Sequence, residues 1–469
     1  MTYAQALEYL DGLIRAPDQA RRPYHELKVS RMRALLDRLR APEAGLRSVL
    51  VAGTKGKGST VVMLAGILRA AGLRVGLTVK PHLVDYRERI QIDGRLITRA
   101  ALTRLVDEVR PAVEAGRADP WGPPTYVETT VAMALLAFRR ARVDVAVIEV
   151  GIGGRLDATN TADPVVSVIT PVSYDHTELL GHTLTEIARE KAGIVRPGRP
   201  VVSAPQPAEA EAVIDAAARN AGSPLILVGR DVLCDVVSST LDGVVARIQG
   251  RRGAYDVEIP LLGRHQAVNA ATAVAAAEAL VPSGHPWSAP QAQGPPAASQ
   301  PPAGEMGSRP GPAADAVRAG IAGVRWPARV ELMARRPYTI IDVGHNPASM
   351  AALCATLQEL LGGRRLVVAF GMLATKDYKA VTALLAPLAA AVVTTTPDNP
   401  HALPAADLAA EVRRYMPHVE AVDDRRAAVA RARRLAGPDD VLVVTGSFYF
   451  VGEARGWLLQ RRAFEPART

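Results

Sequence analysis

Val51-Ala-Gly-Thr-Lys-Gly-Lys-Gly-Ser-Thr60 connects an apolar run, Ser48 to Ala52, to a helical pattern that continues from Ser59 to Ala71. Three glycines allow backbone N–H groups to converge on an anion, and the helix that follows directs the positive end of its dipole at the same point. Lys57 can reach the terminal phosphates of a bound nucleotide. The stretch therefore predicts a strand, a phosphate loop and a helix that together bind a nucleoside triphosphate.

The loop departs from the common Walker A pattern at two positions. Val51-Ala52 stands where the pattern begins with a glycine, and Gly58 follows Lys57 where the pattern has a metal-binding Ser or Thr. The alternative interpretation is a glycine-rich turn with surface lysines. The apolar strand before the loop and the apolar helix after it favour the phosphate loop.

Composition indicates a soluble globular protein of two or three domains. The chain has 469 residues, of which 48% are hydrophobic and 22% charged, with no run of 18 apolar residues and no charged-then-apolar leader. We therefore expect a cytoplasmic protein with no membrane partner. Cys234 and Cys354 lack metal-ligand spacing and are expected to be buried thiols. The net charge of +9 comes largely from scattered arginines with few aromatic residues between them, which argues against a nucleic-acid partner.

Short apolar runs alternate with helical patterns along most of the chain, which predicts an α/β fold with a doubly wound, mainly parallel sheet. Residues 231–260 instead alternate apolar and polar positions between turn signals, which predicts a small antiparallel excursion. Residues 282–313 are so rich in Pro, Gly and Ala that we expect a linker or insertion. Further strand and helix patterns after it predict a second α/β domain. The predicted limits are 1–281, 282–313 and 314–469.

Chemically active residues follow the predicted strands, at the sheet edge where open α/β folds bind ligands. Glu149 ends an apolar run and precedes Gly151-Ile-Gly-Gly-Arg-Leu-Asp-Ala-Thr-Asn160, and a carboxylate beside a triphosphate is suited to Mg²⁺. Asp175-His176 follows the next strand. In the second domain Asp342, His345 and Asn346 should face a cleft between the domains. Each of these features alone is also compatible with an ordinary strand-to-helix turn.

These motifs together resemble the folylpolyglutamate synthase and dihydrofolate synthase family of the Mur ligase superfamily. The resemblance rests on segments in the family's order: GTKGKGST from Gly53, PHLVDYRERIQIDG from Pro81, EVGIGGRLDATN from Glu149, DHTELLG from Asp175, EKAGI from Glu190, GRHQAVNAATA from Gly263, WPARVE from Trp326, DVGHNP from Asp342 and TGSFYF from Thr445.

The resemblance implies an N-terminal ATPase domain at 1–281 and a C-terminal Rossmann-like domain at 314–469. It also implies a monomeric, ATP- and Mg²⁺-dependent ligase whose partners are L-glutamate and dihydropteroate or a reduced folate. The implied nucleotide-binding residues are Gly53, Thr54, Lys55, Gly56, Lys57, Gly58, Ser59, Thr60, Asn269, Arg329, Asp342 and His345. The implied metal ligands are Glu149, His176 and a carbamylated Lys191. Lys57, Lys191 and His345 are the implied catalytic residues, and Thr125, Tyr126, Glu128, Leu156 and Asp157 the implied pterin or folate contacts.

One position departs from the family. Lys80 stands where the family usually has a Ser that contributes a hydroxyl to a magnesium ion. An ammonium group cannot bind a cation, so we hypothesise that Lys80 contacts phosphate or pairs with Glu149. The departure leaves open a paralogue with an altered acceptor.

Other functions remain open at this point. An ATP-binding regulator on a degenerate ligase scaffold would bind ATP without glutamate-dependent hydrolysis. A cell-wall Mur ligase usually carries a sizeable domain before the phosphate loop, where this chain has about 50 residues. A mechanical ATPase would need a second hydrolysis motif or a repeat. Whether the acceptor is dihydropteroate, folate or both also stays open.

Overall fold

The computed structural model describes residues 1–15, 29–280 and 313–462. The predicted insertion at 282–313 lies outside these residues except for its last position. Three β-sheets organise the described residues. Within those ranges, every helix is too short or too polar to cross a bilayer.

The first sheet has the phosphate-loop strand at its centre. Its strands are β1 (Ser48–Ala52), β2 (Val75–Thr78), β3 (Gln91–Ile92), β4 (Arg95–Leu96), β5 (Val145–Glu149), β6 (Pro164–Ile169), β7 (Val201–Ser203) and β8 (Leu225–Leu227). Their order is β4-β3-β2-β5-β1-β6-β7-β8, with β3 and β4 antiparallel and the others parallel to their neighbours. The predicted doubly wound, mainly parallel sheet is confirmed.

Helices cover both faces of this sheet. They are α1 (Tyr3–Arg15), α2 (Val29–Arg38), α3 (Lys57–Ala70), α4 (Arg99–Ala115), α5 (Tyr126–Ala141), α6 (Thr177–Leu180), α7 (Leu184–Ala192), α8 (Ala208–Asn220) and α9 (His265–Leu280). Alternate residues of β1 enter different hydrophobic clusters, Leu50 on one face and Val49 with Val51 on the other. Burial on both faces explains why these strands read as continuous apolar runs.

The second sheet is the antiparallel excursion predicted from the alternating pattern. It consists of β9 (Leu233–Thr240), β10 (Gly243–Gln249) and β11 (Ala254–Ile259), joined by tight turns. Helix α10 (Ala314–Ala322) packs on α3 and β11, with Val317 and Ile321 buried in their cluster. The crossing is close because a Cβ on Gly66 would lie 2.4 Å from the Gly320 carbonyl oxygen. The boundary predicted at residue 314 stays a prediction, although α10 packs with the preceding part of the chain.

The third sheet begins after α10. Its strands are β12 (Glu331–Arg335), β13 (Tyr338–Asp342), β14 (Leu366–Phe370), β15 (Ala391–Thr394), β16 (Val419–Ala421) and β17 (Val441–Thr445). Their order is β12-β13-β17-β14-β15-β16, and only β12 is antiparallel among these described strands. The accompanying helices are α11 (Pro347–Leu361), α12 (Tyr378–Leu385), α13 (Ala405–Val412), α14 (Arg425–Leu435) and α15 (Phe448–Arg462). We call the part built on the first two sheets, with α10, the first lobe, and the part built on the third sheet the second lobe.

Candidate active site

A cavity of about 580 Å³ lies between the lobes, at the carboxyl ends of β1, β5 and β13. Among the predicted nucleotide and metal residues, those that line it are Gly53, Thr54, Lys55, Gly56, Lys57, Gly58, Ser59, Glu149, His176, Lys191, Asn269, Arg329, Asp342 and His345. Thr60 is outside the lining, buried in the first turn of α3. The tertiary structure therefore brings together residues that are nearly 300 positions apart in sequence.

Two lysines converge on the phosphate loop. The Nζ of Lys57 donates to the carbonyl oxygens of Gly53 and Thr54 at 3.0 and 3.1 Å, and the Nζ of Lys191 donates to the Gly53 oxygen at 3.0 Å. Burial and the charge of Lys57 together lower the pKa of Lys191 to about 7, against the opposing effect of Asp175. Lys191 is buried and is therefore not the surface lysine that the bare sequence allowed. With a pKa of about 7, a large fraction of the Lys191 side chain is a neutral amine at pH 7.

Asn269 fixes the shape of the loop from α9. Its Nδ2 donates to Gln266 Oε1 at 2.9 Å, and its side chain packs against the loop at Gly56. Gly56 adopts φ +82° at the N-cap of α3, and a Cβ there would lie 2.4 Å from Asn269 Oδ1. Only glycine fits this position without displacing Asn269.

Glu149 ends β5 inside the cavity and is buried. Burial raises the pKa of its carboxyl group, while Lys57 and the backbone N–H of Lys80 oppose that rise. The Lys80 N–H donates to Glu149 Oε2 at 2.9 Å, which leaves Oε1 for a cation. The predicted side-chain pair of Lys80 with Glu149 does not form, because the ammonium group extends to Asp157 Oδ1 at 3.8 Å.

Asp175 joins the two lobes across the cavity. Its Oδ2 accepts a hydrogen bond from Asn346 Nδ2 at 2.9 Å, and its Oδ1 accepts one from Lys376 Nζ at 3.2 Å. Burial and the positive charge of Lys376 lower the pKa of the neighbouring His176 to about 4. His176 is therefore neutral at pH 7, with a ring nitrogen that can bind a cation.

Asp342 forms hydrogen bonds that hold the strained backbone next to Arg329. Its two carboxylate oxygens accept hydrogen bonds from the N–H groups of Val330 and Gly344 at 2.9 and 2.7 Å. Val330 has φ +47°, an unfavourable backbone conformation for a β-branched residue. Arg329 then stacks between two rings, with its guanidinium carbon 5.2 Å from the Trp326 centroid and 5.1 Å from that of Phe448.

His345 is a neutral acceptor in the same wall of the cavity. Its Nδ1 lies 2.9 Å from the Val343 carbonyl oxygen, which can only accept, so Nδ1 is the donor and Nε2 keeps its lone pair. Burial and the charge of Lys376 lower the pKa of His345 to about 4, so the ring stays neutral at pH 7.

The predicted pterin or folate contacts, Thr125, Tyr126, Glu128, Leu156 and Asp157, lie outside the lining of this cavity. Glu128 is buried, and both of its oxygens accept hydrogen bonds from Arg31 Nε. Thr125 caps α5 and accepts the Glu128 N–H at 3.2 Å. Their assignment to an acceptor stays a prediction, whereas the hydrogen bonds of Thr125 and Glu128 give these two residues a structural role.

The donor set is suited to a magnesium ion that takes most of its ligands from phosphate and water. In the described ranges no three His, Cys, Asp or Glu side chains cluster as a metal site. Mg²⁺ in nucleotide sites commonly uses one or two carboxylates with phosphate oxygens and water, and Glu149 places one carboxylate in this cavity. The ammonium form of Lys191 has no lone pair for a metal ion, whereas a carbamate on Lys191 would supply anionic oxygens of the kind that Mg²⁺ prefers.

Two family models match the chain. The Mur ligase middle domain matches residues 51–277, and the Mur ligase glutamate ligase domain matches residues 328–448. A dihydrofolate synthase/folylpolyglutamate synthase from Bacillus subtilis is 32% identical over 431 residues, which cover 91% of this chain and 94% of that protein. The chain belongs to the folylpolyglutamate synthase and dihydrofolate synthase family. The resemblance inferred from the sequence motifs is thereby confirmed.

Other members of this family extend the comparison. A solved structure of Mycobacterium tuberculosis folylpolyglutamate synthase, complexed with ADP and AMPPCP, is 33% identical with a TM-score of 0.84, covering 97% of this chain and 99% of that one. A probable bifunctional folylpolyglutamate synthase/dihydropteroate synthase from Haloferax volcanii is 36% identical over 434 residues. This match covers 90% of the chain and 47% of that protein, so the chain spans about half the length of these bifunctional relatives.

Sequence reasoning missed several residues of the site. Lys376, Gln266 and Phe448 line the cavity but were not predicted to do so. Phe448 lies within the quoted motif TGSFYF, which therefore contained a usable signal. Lys376 lies in a polar loop before α12, and no local pattern separates it from a surface lysine.

Residue 58 must be glycine because Trp326, in the segment that connects the lobes, packs against its backbone. A Cβ there would lie 2.7 Å from Trp326 Cζ2, so a side chain would displace the indole on which Arg329 stacks. We expect Gly58→Ala and Gly58→Ser to lower turnover by a similar factor of about ten or more, since overpacking costs about 1–3 kcal/mol. Steady-state ADP release measures the effect.

Gly12→Ala is the matched control, because a Cβ at Gly12 in α1 meets nothing within 4 Å. It should keep wild-type turnover. A different result would contradict this explanation: Gly58→Ser as active as the wild type while Gly58→Ala is impaired. It would mean that the serine hydroxyl supports turnover and that Trp326 moves aside at little cost.

Proposed function

We propose that this chain is an ATP-dependent ligase that joins L-glutamate to the carboxylate of dihydropteroate or a reduced folate through an acyl phosphate. The observation that carries the proposal is the cavity between the lobes, in which a phosphate loop of the first lobe faces Asn346, Lys376 and Arg329 across the lobe boundary. The ADP and AMPPCP complexes of the M. tuberculosis relative support ATP as the nucleotide.

In this proposal residues 53–60 and Asn269 surround the phosphates, with the N-terminus of α3 directed at them. Arg329 reaches the nucleotide from the second lobe, positioned by Asp342 and its strained neighbours. His345 offers Nε2 as an acceptor for a nucleotide hydroxyl. Because the contributing residues come from both lobes, the lobes must be closed for the site to be complete.

The chemistry requires activation of a poor electrophile. A carboxylate oxygen of the acceptor attacks the γ-phosphorus, the bond to ADP breaks, and the amine of L-glutamate then displaces phosphate from the acyl carbon. Lys57 lies on the loop where negative charge increases during phosphoryl transfer, and a fixed ammonium group stabilises that charge without reorganisation. Buried walls around Glu149 and Lys191 exclude water that would hydrolyse the acyl phosphate.

Mg²⁺ is the proposed metal, held by Glu149, His176 and a carbamylated Lys191. It would neutralise phosphate charge and polarise the phosphoryl group. Carbamylation would convert the Lys191 amine into an anion beside the ammonium group of Lys57, which also donates to the Gly53 carbonyl oxygen.

Carbamylation of Lys191 is testable without turnover. Only the neutral amine reacts with CO₂, so with a pKa of about 7 the carbamate should increase as pH rises from about 6 to about 8. We expect a ¹³C-carbamate signal from wild-type protein in ¹³C-bicarbonate, and none from Lys191→Ala. Lys379→Ala, at an exposed lysine of α12, should keep the signal. Persistence of the signal in Lys191→Ala would contradict the assignment.

The function itself is tested by ADP release. Purified protein is incubated with MgATP and L-glutamate, in parallel with dihydropteroate, with tetrahydrofolate and without acceptor. Release that needs both glutamate and an acceptor supports the ligase, and the active acceptor identifies which of the two activities it has. ATP binding without acceptor-dependent release would favour a regulator on a ligase scaffold.

Three further assignments complete the proposal. The chain is a cytoplasmic monomer, and its functional domains are 1–281 and 314–469 with 282–313 between them. Sedimentation at several concentrations tests the oligomeric state. Deleting residues 283–312 should leave turnover intact if they serve only as a connection.

A further inference from the structure

Lys80 carries a buried ammonium group with no acceptor in the part of the chain that the structure describes. The residue follows β2 and lines the cavity, yet its Nζ has almost no solvent contact and no hydrogen-bond partner. The nearest carboxylate oxygen, Asp157 Oδ1, is 3.8 Å away, beyond hydrogen-bond distance. A buried ammonium group without a hydrogen-bond acceptor is costly, so an anion bound within hydrogen-bond distance of Lys80 would be strongly stabilised.

Asp157 cannot supply that acceptor by itself. Its Oδ2 accepts the N–H groups of Gly151 and Ile152, both at 3.1 Å, and its Oδ1 accepts the N–H and the hydroxyl of Thr159 at 2.9 and 2.6 Å. The carboxylate is therefore held in place by the glycine loop after β5. Moving it to Lys80 would break these hydrogen bonds.

The position of Lys80 separates it from the lysine of the phosphate loop. Both Lys57 and Lys80 interact electrostatically with Glu149 and Asp157, but the two lysines differ in their other neighbours. Lys57 also interacts with Asp175 and Lys376 at the lobe contact, whereas Lys80 lies 3.8 Å from Asp157 Oδ1 and also interacts with Arg89. The Arg89 guanidinium carbon lies 5.4 Å from the ring centroid of Tyr126, one of the predicted acceptor contacts. Lys80 therefore lies between the Glu149 end of the nucleotide cavity and the side where the acceptor is expected.

We propose that Lys80 binds the acceptor carboxylate that receives the phosphoryl group, as a cation built into the acceptor end of the cavity. The inference rests on the proposed ligase function. During transfer one carboxylate oxygen forms the bond to the γ-phosphorus, and the electron pair of the broken bond leaves with ADP. The ammonium group keeps its proton, holds the second carboxylate oxygen and offsets the repulsion between carboxylate and triphosphate.

The test compares an acid with its uncharged ester. Wild type, Lys80→Met and Lys379→Met are titrated in the presence of AMPPCP with dihydropteroate and its methyl ester, or with tetrahydrofolate and its γ-methyl ester if that acid is the active acceptor. Calorimetry gives the dissociation constants without turnover. Lys379→Met controls for loss of a lysine outside the cavity.

We expect wild type and Lys379→Met to bind the acid about 10- to 100-fold more tightly than the ester, the range of a charge-assisted hydrogen bond. Lys80→Met should bind both alike, with AMPPCP affinity within about threefold of wild type because Lys57 is unchanged. If Lys80→Met does not fold, Lys80→Gln takes its place, and Lys80→Arg should retain the preference for the acid.

Two outcomes overturn the inference and differ in what they mean. If the wild type requires an acceptor and glutamate for ADP release but the Lys80 variant keeps the preference for the acid, the role of Lys80 is refuted and the ligase function stands. If the wild type releases no ADP with any acceptor, the proposed function fails and the inference fails with it.

Discussion

Lys57→Met lowers acceptor- and glutamate-dependent ADP release by an expected factor of about 10² to 10³, the usual effect of removing a fixed group that stabilises transition-state charge. Among the described residues, the Lys57 ammonium group donates hydrogen bonds to carbonyl oxygens of its own loop, those of Gly53 and Thr54. The Gly53 oxygen keeps a second donor in the variant, because Lys191 also donates to it. The loop should therefore persist while the charge is lost.

The measurement combines single-turnover ADP formation with a thermal melt. The unfolding temperature of Lys57→Met should stay close to that of the wild type, and Lys379→Met should match the wild type in both assays. Unchanged single-turnover formation in a folded Lys57→Met enzyme would remove Lys57 from the proposed transfer step. A large fall in melting temperature would instead assign it to the structure of the loop.

Arg31→Met is expected to lower the free energy of unfolding by about 3–5 kcal/mol, because it leaves the buried carboxylate of Glu128 without its cationic partner. Arg31 is fully buried, and its Nε donates to both oxygens of Glu128 at 3.0 and 2.8 Å. Glu128 also accepts the Thr125 N–H at 2.7 Å, which closes the capping box at the start of α5. The ion pair thus ties α2 to α5.

Urea unfolding measures the loss. Arg33→Met, on the exposed face of the same helix, should cost less than about 0.5 kcal/mol. Adding Glu128→Gln to Arg31→Met should recover part of the loss, since the amide keeps the capping acceptor and removes the stranded charge. No recovery would mean that Arg31 acts through its packing and that the carboxylate charge is tolerated.

The strands around the phosphate loop were predictable because parallel strands under two helical layers are apolar along their whole length. Ser48–Ala52 and Val145–Glu149 are such strands. The first coincides with the apolar run before the phosphate loop, and the second ends at Glu149 as the predicted run does. The three-residue strands Val201–Ser203 and Leu225–Leu227 were not predicted. Runs this short have too little periodicity to separate from loops, and their pairing with the sheet decides their conformation.

The candidate site was predictable where a chemical motif lies at the end of a strand. Glu149 and Asp342 were found in this way, and both line the cavity. The partners of those residues were not predictable. Lys80 was expected to contact phosphate or pair with Glu149, but its ammonium group points to Asp157, while its backbone N–H binds Glu149. A side chain of this length reaches several neighbours, and packing decides among them.

The sequence by itself determined the α/β architecture, the phosphate loop and the family, because these depend on local periodicity and on motifs read in order. Only the tertiary structure decided that Gly58 must lack a side chain, since Trp326 packs on it from the segment leading into the second lobe. It also decided the contact of Asp175 with Lys376, 201 residues away. Such contacts depend on how two lobes pack in three dimensions, and no local pattern in the chain encodes which distant residues meet.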